Sequence, residues 1–404
     1  MPLPDLVPLH RATGALLAAG ALLALAACSP TPPDLAADDK PHGYVEGAAE
    51  LGEPQLTLAT VDAAGGLALL DLLDGSSDAL GEIEGATAAS TDGRFLYATT
   101  PDGVTVVDTG VWTVDHEDHS HYYRAEPAIV GTVPGDGAAS VVGGGSTTAV
   151  SFAGGETVLL DTAALGRGEI EEADRLDADL VVPFGDALLV AADGSLAVRG
   201  TDAALIPCPD PAGTIATRVG VVVGCGDGAV LATRVDDAVT LEAVPYPAAV
   251  AVGERAVAFH GRPGRPTVAA LAGEAPGGAS AVWLLDTRER TWTRLATDTP
   301  LLAVTAADDR DGHLVALSTD GRVLTLDGAT GATIAATGPL LASTVADPAL
   351  LAGVTLSVDA TRAYVNAPAE GRVYEIDYAD GARVARDFEV PGGPLLLAET
   401  GRVS

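Results

Sequence analysis

Short runs of Val, Leu, Ala and Thr, partly alternating with polar residues, recur along almost the whole chain between turns rich in Gly and Asp. This two-residue period marks β-strands. Phe95 to Thr100 and Val104 to Asp108 flank Pro101-Asp102-Gly103, which predicts a hairpin. Leu314 to Leu317 pairs in the same way with Val323 to Leu326 across Thr319-Asp320-Gly321, and Ala363 to Asn366 with Arg372 to Asp377. No stretch between them carries a convincing helical stripe.

The inner strand of each unit is expected to begin near residues 86, 138, 178, 212, 249, 301 and 345. Their mean spacing, about 43 residues, is that of a four-stranded propeller blade. Ahead of them, Gln55 to Asp62, Leu67 to Leu72 and Asp78 to Ile83 supply only three strands, and a strand-like remainder, Pro394 to Glu399, stands near the C-terminus. Joining the two ends in one blade leaves no free sheet edge. The predicted fold is therefore an all-β propeller over residues 55–404, eight-bladed with seven as the alternative, its ring closed by the C-terminal strand.

Residues 1–27 read as a lipoprotein signal peptide. His10 and Arg11 supply a weakly positive start, and Ala15 to Ala27 is an apolar run too short to span a membrane. Leu25-Ala26-Ala27-Cys28 has the small residues that a lipoprotein signal peptidase needs, so Cys28 is the expected lipid attachment site. An ordinary signal peptide with an incidental cysteine is the alternative. Residues 28–54 then form the attachment and tether segment, with Pro and Thr among acids from Ser29 to Lys40. Export places Cys208 and Cys225 in an oxidising compartment, where a disulfide is favoured over a metal pair or two buried thiols.

Charge narrows the partners. The chain has 404 residues, with 22 Lys and Arg against 56 Asp and Glu, a formal charge of −34 that repels nucleic acid and anionic headgroups and leaves cations as the natural clients. Its one lysine, Lys40, lies near the expected mature N-terminus, which removes phosphate-cradling Walker loops and Schiff-base chemistry from consideration.

The dense chemical motif is Trp112-Thr113-Val114-Asp115-His116-Glu117-Asp118-His119-Ser120-His121-Tyr122-Tyr123-Arg124, which gathers three of the seven histidines into six positions. By the unit count it occupies the connection between the third and outer strands of the second blade. His119 and His121, two apart in an extended stretch, face the same way, and His116 can fold back to complete a three-nitrogen set for zinc. Asp118, Asp115 or water can be the fourth ligand, or a carboxylate that holds an imidazole in its metal-binding tautomer. Copper and nickel fit the same donors, and a solvated acidic loop with idle histidines is the alternative. His42 reads as a solvated imidazole or an auxiliary metal ligand. His260 and His313 read as ordinary loop or strand-end residues. Asp308-Asp309-Arg310-Asp311-Gly312 lacks calcium-loop spacing and reads as a turn.

Pro41-His42-Gly43-Tyr44-Val45-Glu46-Gly47, Glu53-Pro54-Gln55 and the histidine motif together resemble the AztD family of exported zinc metallochaperones, as does the hairpin Ala363-Tyr364-Val365-Asn366 with Tyr374-Glu375-Ile376-Asp377. The resemblance runs from residue 41 to the end. It implies a β-propeller that binds Zn(2+) at His116, His119 and His121 and hands it to the solute-binding protein of a zinc ABC transporter. Some members of that family carry a further histidine just before the stretch Val181-Val182-Pro183-Phe184. This chain has Asp177 and Asp179 there. The expected protein is a lipid-anchored carrier without turnover chemistry. A lactonase- or dehydrogenase-like propeller enzyme and a scaffold that binds no metal are the alternatives.

Overall fold

The strand next to the outer one of a unit ends, again and again, on an aspartate. Asp71, Asp108, Asp161, Asp286, Asp327 and Asp377 close the strands Gly66–Asp71, Gly103–Asp108, Glu156–Asp161, Ala279–Asp286, Val323–Asp327 and Arg372–Asp377. Each carboxylate accepts a backbone N–H two or three residues on: from Leu73 at 2.7 Å, Gly110 at 3.0 Å, Ala164 at 2.6 Å, Arg288 at 2.9 Å, Ala329 at 2.8 Å and Asp380 at 3.2 Å. A short acceptor side chain satisfies donors that the departing strand leaves unpaired, and so fixes the turn toward the outer strand. This repeated local device builds the fold.

The computed structural model describes residues 42–116, 119–201, 205–236, 238–273 and 277–402. Residues 45–404 make one compact unit, and His42 to Tyr44 belong to the segment before it. The expectations for the signal peptide, Cys28 and the Ser29 to Lys40 tether fall outside the described residues, as does Asp118.

Strands pair antiparallel in small sheets of a propeller-like, all-β fold. The first sheet has the order Pro394–Thr400, Thr57–Asp62, Gly66–Asp71, Ser77–Glu82, so the C-terminal strand pairs with Thr57–Asp62. The second holds Ala88–Thr91, Phe95–Thr100, Gly103–Asp108 and Ala128–Pro134, the third Ala139–Gly144 to Glu172–Asp177, the fourth Leu180–Phe184 to Ile206–Pro207, and the fifth Thr214–Ala216 to Ala238–Pro245. A six-stranded sheet follows, in which the 16-residue strand Thr291–Ala306 pairs on both sides and joins what would be two units. The last sheet runs from Leu356–Val358 to Arg383–Glu389. The predicted hairpins all form. The expected starts near 249 and 345 do not: a 3₁₀ turn, Val252–Glu254, follows the first, and two one-turn helices, Ala342–Ala346 and Pro348–Leu351, occupy the second. Such single turns are too short to show a helical stripe.

Alternate residues of one strand enter different cores. Leu58 and Leu397 pack with Tyr364 and Val373 of the last sheet, whereas Ala59 and Leu396 pack with Leu96 and Ala98 of the second. The second and third sheets share Tyr97, Val104, Val150 and Leu160, and the fourth and fifth share Val182, Leu189, Val223 and Val230. Strands buried on both faces need apolar residues at successive positions. Cys208 and Cys225 form a disulfide inside the core shared by the fourth and fifth sheets.

Candidate metal centre

Between Asp108 and the outer strand Ala128–Pro134 of the second sheet the chain makes an extra hairpin, Val111–Asp115 and Ser120–Arg124. The histidine motif lies between a third and an outer strand, as its spacing indicates, but on a paired hairpin instead of an open loop. Asp115 pairs with Ser120, and the His116 N–H donates to the His119 carbonyl at 2.9 Å, so His116 and His119 are held opposite each other. A third strand, Ala49–Leu51, adds to the edge with the register Ala49 to Arg124, Glu50 to Tyr123 and Leu51 to Tyr122. That strand lies within the stretch 28–54 assigned from sequence to the tether.

The hairpin stands on rigid supports. The Arg94 guanidinium, held by Asp108 at 2.6 Å, covers the Trp112 ring at 3.8 Å. Trp112 stacks on Tyr123 at 5.1 Å, and Tyr123 lies 6.1 Å from His121 with nearly parallel rings. Burial, and secondarily the Glu50 carboxylate, push the Tyr123 phenol above its usual pKa. Thr113 donates its hydroxyl to the Gly401 carbonyl at 2.7 Å, which ties the hairpin to the end of the C-terminal strand.

On this base the three imidazoles converge. Their ring centroids lie 5.3 Å (His116 to His119), 5.3 Å (His116 to His121) and 4.8 Å (His119 to His121) apart. The Nε2 atoms of His119 and His121 are 3.0 Å apart. Two nitrogens bound tetrahedrally to zinc at about 2.0–2.1 Å stand about 3.3 Å from each other, so this edge of a coordination shell needs little rearrangement. His121 is buried, and its Nδ1 lies 2.6 Å from Glu50 Oε1. That carboxylate holds the ring proton on Nδ1 and turns the Nε2 lone pair toward His119, the arrangement that metal-ligating histidines commonly show. An ion entering here would replace the proton shared between the two Nε2 atoms.

Glu50 is the residue that sequence reasoning missed. It lies 71 positions from His121, and only long-range strand pairing joins them. Of the carboxylates named from sequence, Asp115 lies at the hairpin with Oδ1 3.5 Å from Ser120 Oγ. Asp177 and Asp179 fall at and just after the end of Glu172–Asp177, in a different sheet. The remaining histidines stand elsewhere. His313 opens the strand His313–Ser318, with Nδ1 2.6 Å from Asp309 Oδ2 and its N–H on Asp309 Oδ1 at 2.9 Å, which locks the Asp308 to Gly312 turn. His260 opens onto a cavity of about 310 Å³ lined by Leu271, Leu302, Val304, Thr305 and Leu356, and desolvation there lowers its pKa.

Comparison with solved structures places this architecture. Apo AztD from Citrobacter koseri matches with a TM-score of 0.70 at 17% identity, over 86% of this chain and 97% of that one. The chain has an AztD-like fold. Two enzymes share the architecture more distantly: a putative 6-phosphogluconolactonase from Bacteroides uniformis, with a TM-score of 0.52 at 12% identity over 86% and 100% of the two chains, and the dihydro-heme d1 dehydrogenase NirN, with 0.50 at 14% over 85% and 75%. No family model and no curated protein matches the chain. At these identities the likeness concerns the fold, and the AztD-like fold leaves the chemistry to be argued from the hairpin. Among the described residues no helix is long and apolar enough to cross a membrane.

Proposed function

We propose that the protein is an extracytoplasmic zinc carrier that binds Zn(2+) at the histidine hairpin and passes it to the solute-binding protein of a zinc ABC transporter. The observation that carries this reading is the pair of Nε2 atoms 3.0 Å apart with a carboxylate behind His121. His116, His119 and His121 are the proposed ligands. Asp118 is a candidate fourth. His42, eight positions before Glu50 and so at most about 28 Å from it along extended chain, is a candidate auxiliary ligand.

The surrounding architecture is read as eight blades. The six-stranded sheet counts as two, and the pairing of Pro394–Thr400 with Thr57–Asp62 closes the ring. Lipidation at Cys28 would keep the carrier at the membrane surface where the partner docks, and the disulfide suits an oxidising compartment. Metal would leave by ligand exchange, because imidazoles at a hairpin tip can be given up one at a time. The charge of −34 favours a partner with a basic docking patch, so transfer should slow as salt rises.

No turnover chemistry is proposed. Among the described residues, His260 is the one titratable group lining the 310 Å³ cavity, which gives the proposal no acid and base pair of the kind hydrolases use.

The test is metal analysis and competitive titration of protein purified without an affinity tag, followed by stopped-flow transfer to the apo binding protein with a chelator present. About one zinc per chain, lost in the double variant His119→Ala/His121→Ala with the fold intact, is the expected result. Undiminished affinity in that variant would remove the site assignment. Transfer that the chelator intercepts completely would remove the carrier reading.

A further inference from the structure

The strand Ala49–Leu51 is unlike the other strands around it. It has three residues, pairs with Ser120–Arg124 alone and buries none of its residues, whereas Val111, Trp112, Thr113, His121 and Tyr123 of the hairpin strands are buried. Ala49 and Glu50 are exposed and Leu51 is partly so. Elements held by few buried contacts and solvent-exposed backbone bonds open far more readily than the core. Yet this strand alone brings Glu50 to His121 Nδ1.

We infer that Ala49–Leu51 is a detachable clasp on the metal site: seated, its Glu50 fixes the His121 ring as a ligand, and unseated, it lets that ligand turn and the metal loosen. The inference rests on the zinc reading above and deepens it by naming how the site is opened. Glu50 does not touch the metal and is a positioning residue. Its carboxylate keeps the Nδ1–H tautomer and the ring orientation that present Nε2 beside His119. When the strand departs, both constraints go together, because a single short peptide carries the acceptor. The hairpin itself remains, since Trp112, Tyr123 and Thr113 anchor it independently. Affinity can thus drop without unfolding the site.

Two variants of the full chain test this. In Glu50→Gln the amide can donate to or accept from Nδ1, so the tautomer is no longer imposed. Loss of such an outer carboxylate typically weakens metal binding by about 10- to 100-fold, and the zinc dissociation constant should rise by that factor. Nitrogen-15 spectra of the metal-free protein should show His121 as the Nδ1–H tautomer in the wild type and as a mixture in Glu50→Gln. Glu50→Asp should recover part of both effects.

The second variant, Leu51→Cys/Tyr122→Cys, joins directly opposed positions of the clasp and the hairpin. Zinc release to a chelator should be at least about tenfold slower from its oxidised than from its reduced form. The clasp is overturned if Glu50→Gln keeps the wild-type affinity and tautomer, or if oxidation of the cross-linked variant leaves the release rate unchanged. A wild-type protein that binds no zinc would overturn the carrier reading and the clasp together, so the two failures are distinguishable.

Discussion

Asn366 is the side chain on which the junction between the last sheet and the C-terminal strand turns, and replacing it tests how that junction is held. It is fully buried. Its Oδ1 accepts the Thr355 N–H at 2.7 Å, while Nδ2 donates to the carbonyls of Gly353 at 3.0 Å, Pro394 at 2.9 Å and Leu395 at 3.1 Å. Asn366→Ala removes a partner from four backbone groups at once. At the lower end of about 1–3 kcal/mol for each buried group left unsatisfied, the loss is about 4 kcal/mol. An unfolding entropy of about 2.1 cal/mol/K per residue over roughly 350 ordered residues converts this to a fall in Tm of about 5 °C. Asn366→Asp should cost more at neutral pH, because a carboxylate would face three carbonyl oxygens with no proton to offer. Differential scanning calorimetry and urea titration measure both. A shift below about 1 °C for Asn366→Ala would show that water or a local adjustment satisfies these groups, and that Asn366 does not hold the C-terminal strand.

Two further outcomes are expected. Cys208→Ala/Cys225→Ala opens a link between residues 17 positions apart, which in the chain-entropy account should lower stability by about 3 kcal/mol in urea titration; an unchanged midpoint would contradict it. Desolvation lowers the pKa of His260, so the unfolded chain takes up a proton on this residue before the folded one does. Stability should therefore fall as pH drops below about 6.5, and His260→Gln should flatten that decline. Equal slopes for the two proteins would show that His260 is not held in its neutral form.

Much of the fold was legible because strand-forming runs and Gly/Asp turns are local signals. The pairs Phe95–Thr100 with Gly103–Asp108 and Ala363–Ala367 with Arg372–Asp377 follow from patterns within about fifteen residues. A sharper signal is also present in the chain: the aspartate at the end of the strand next to the outer one, as in Leu69-Leu70-Asp71, Leu159-Leu160-Asp161 and Leu284-Leu285-Asp286. It would have anchored the unit boundaries better than hydrophobic runs, which misplaced the starts near 249 and 345. The hairpin tip was legible for the same local reason. Side chains two apart on an extended chain share a face, so His119 and His121 had to meet wherever the hairpin went.

What the sequence could not supply is whatever depends on residues far apart in the chain. Leu58 and Ala59 are both buried, and nothing local says that one faces the last sheet and the other the second, since a strand covered on both sides loses the alternation that would label its faces. The pairing of Thr57–Asp62 with Pro394–Thr400 was inferred from a missing strand, but its register was fixed only by packing. Glu50 was invisible as part of the metal centre because nothing marks it out from Glu46 and Glu53 beside it or names its distant partner. The strand Ala49–Leu51 finds its place through backbone bonds to Ser120–Arg124, and that long-range pairing, not the identity of the residues between, brings the carboxylate to His121. The amino-acid sequence by itself determined the strand-and-turn repeat and the group of imidazoles; tertiary structure decided which faces touch and which acid stands behind the ligand, because those contacts are chosen by burial and pairing across the whole molecule.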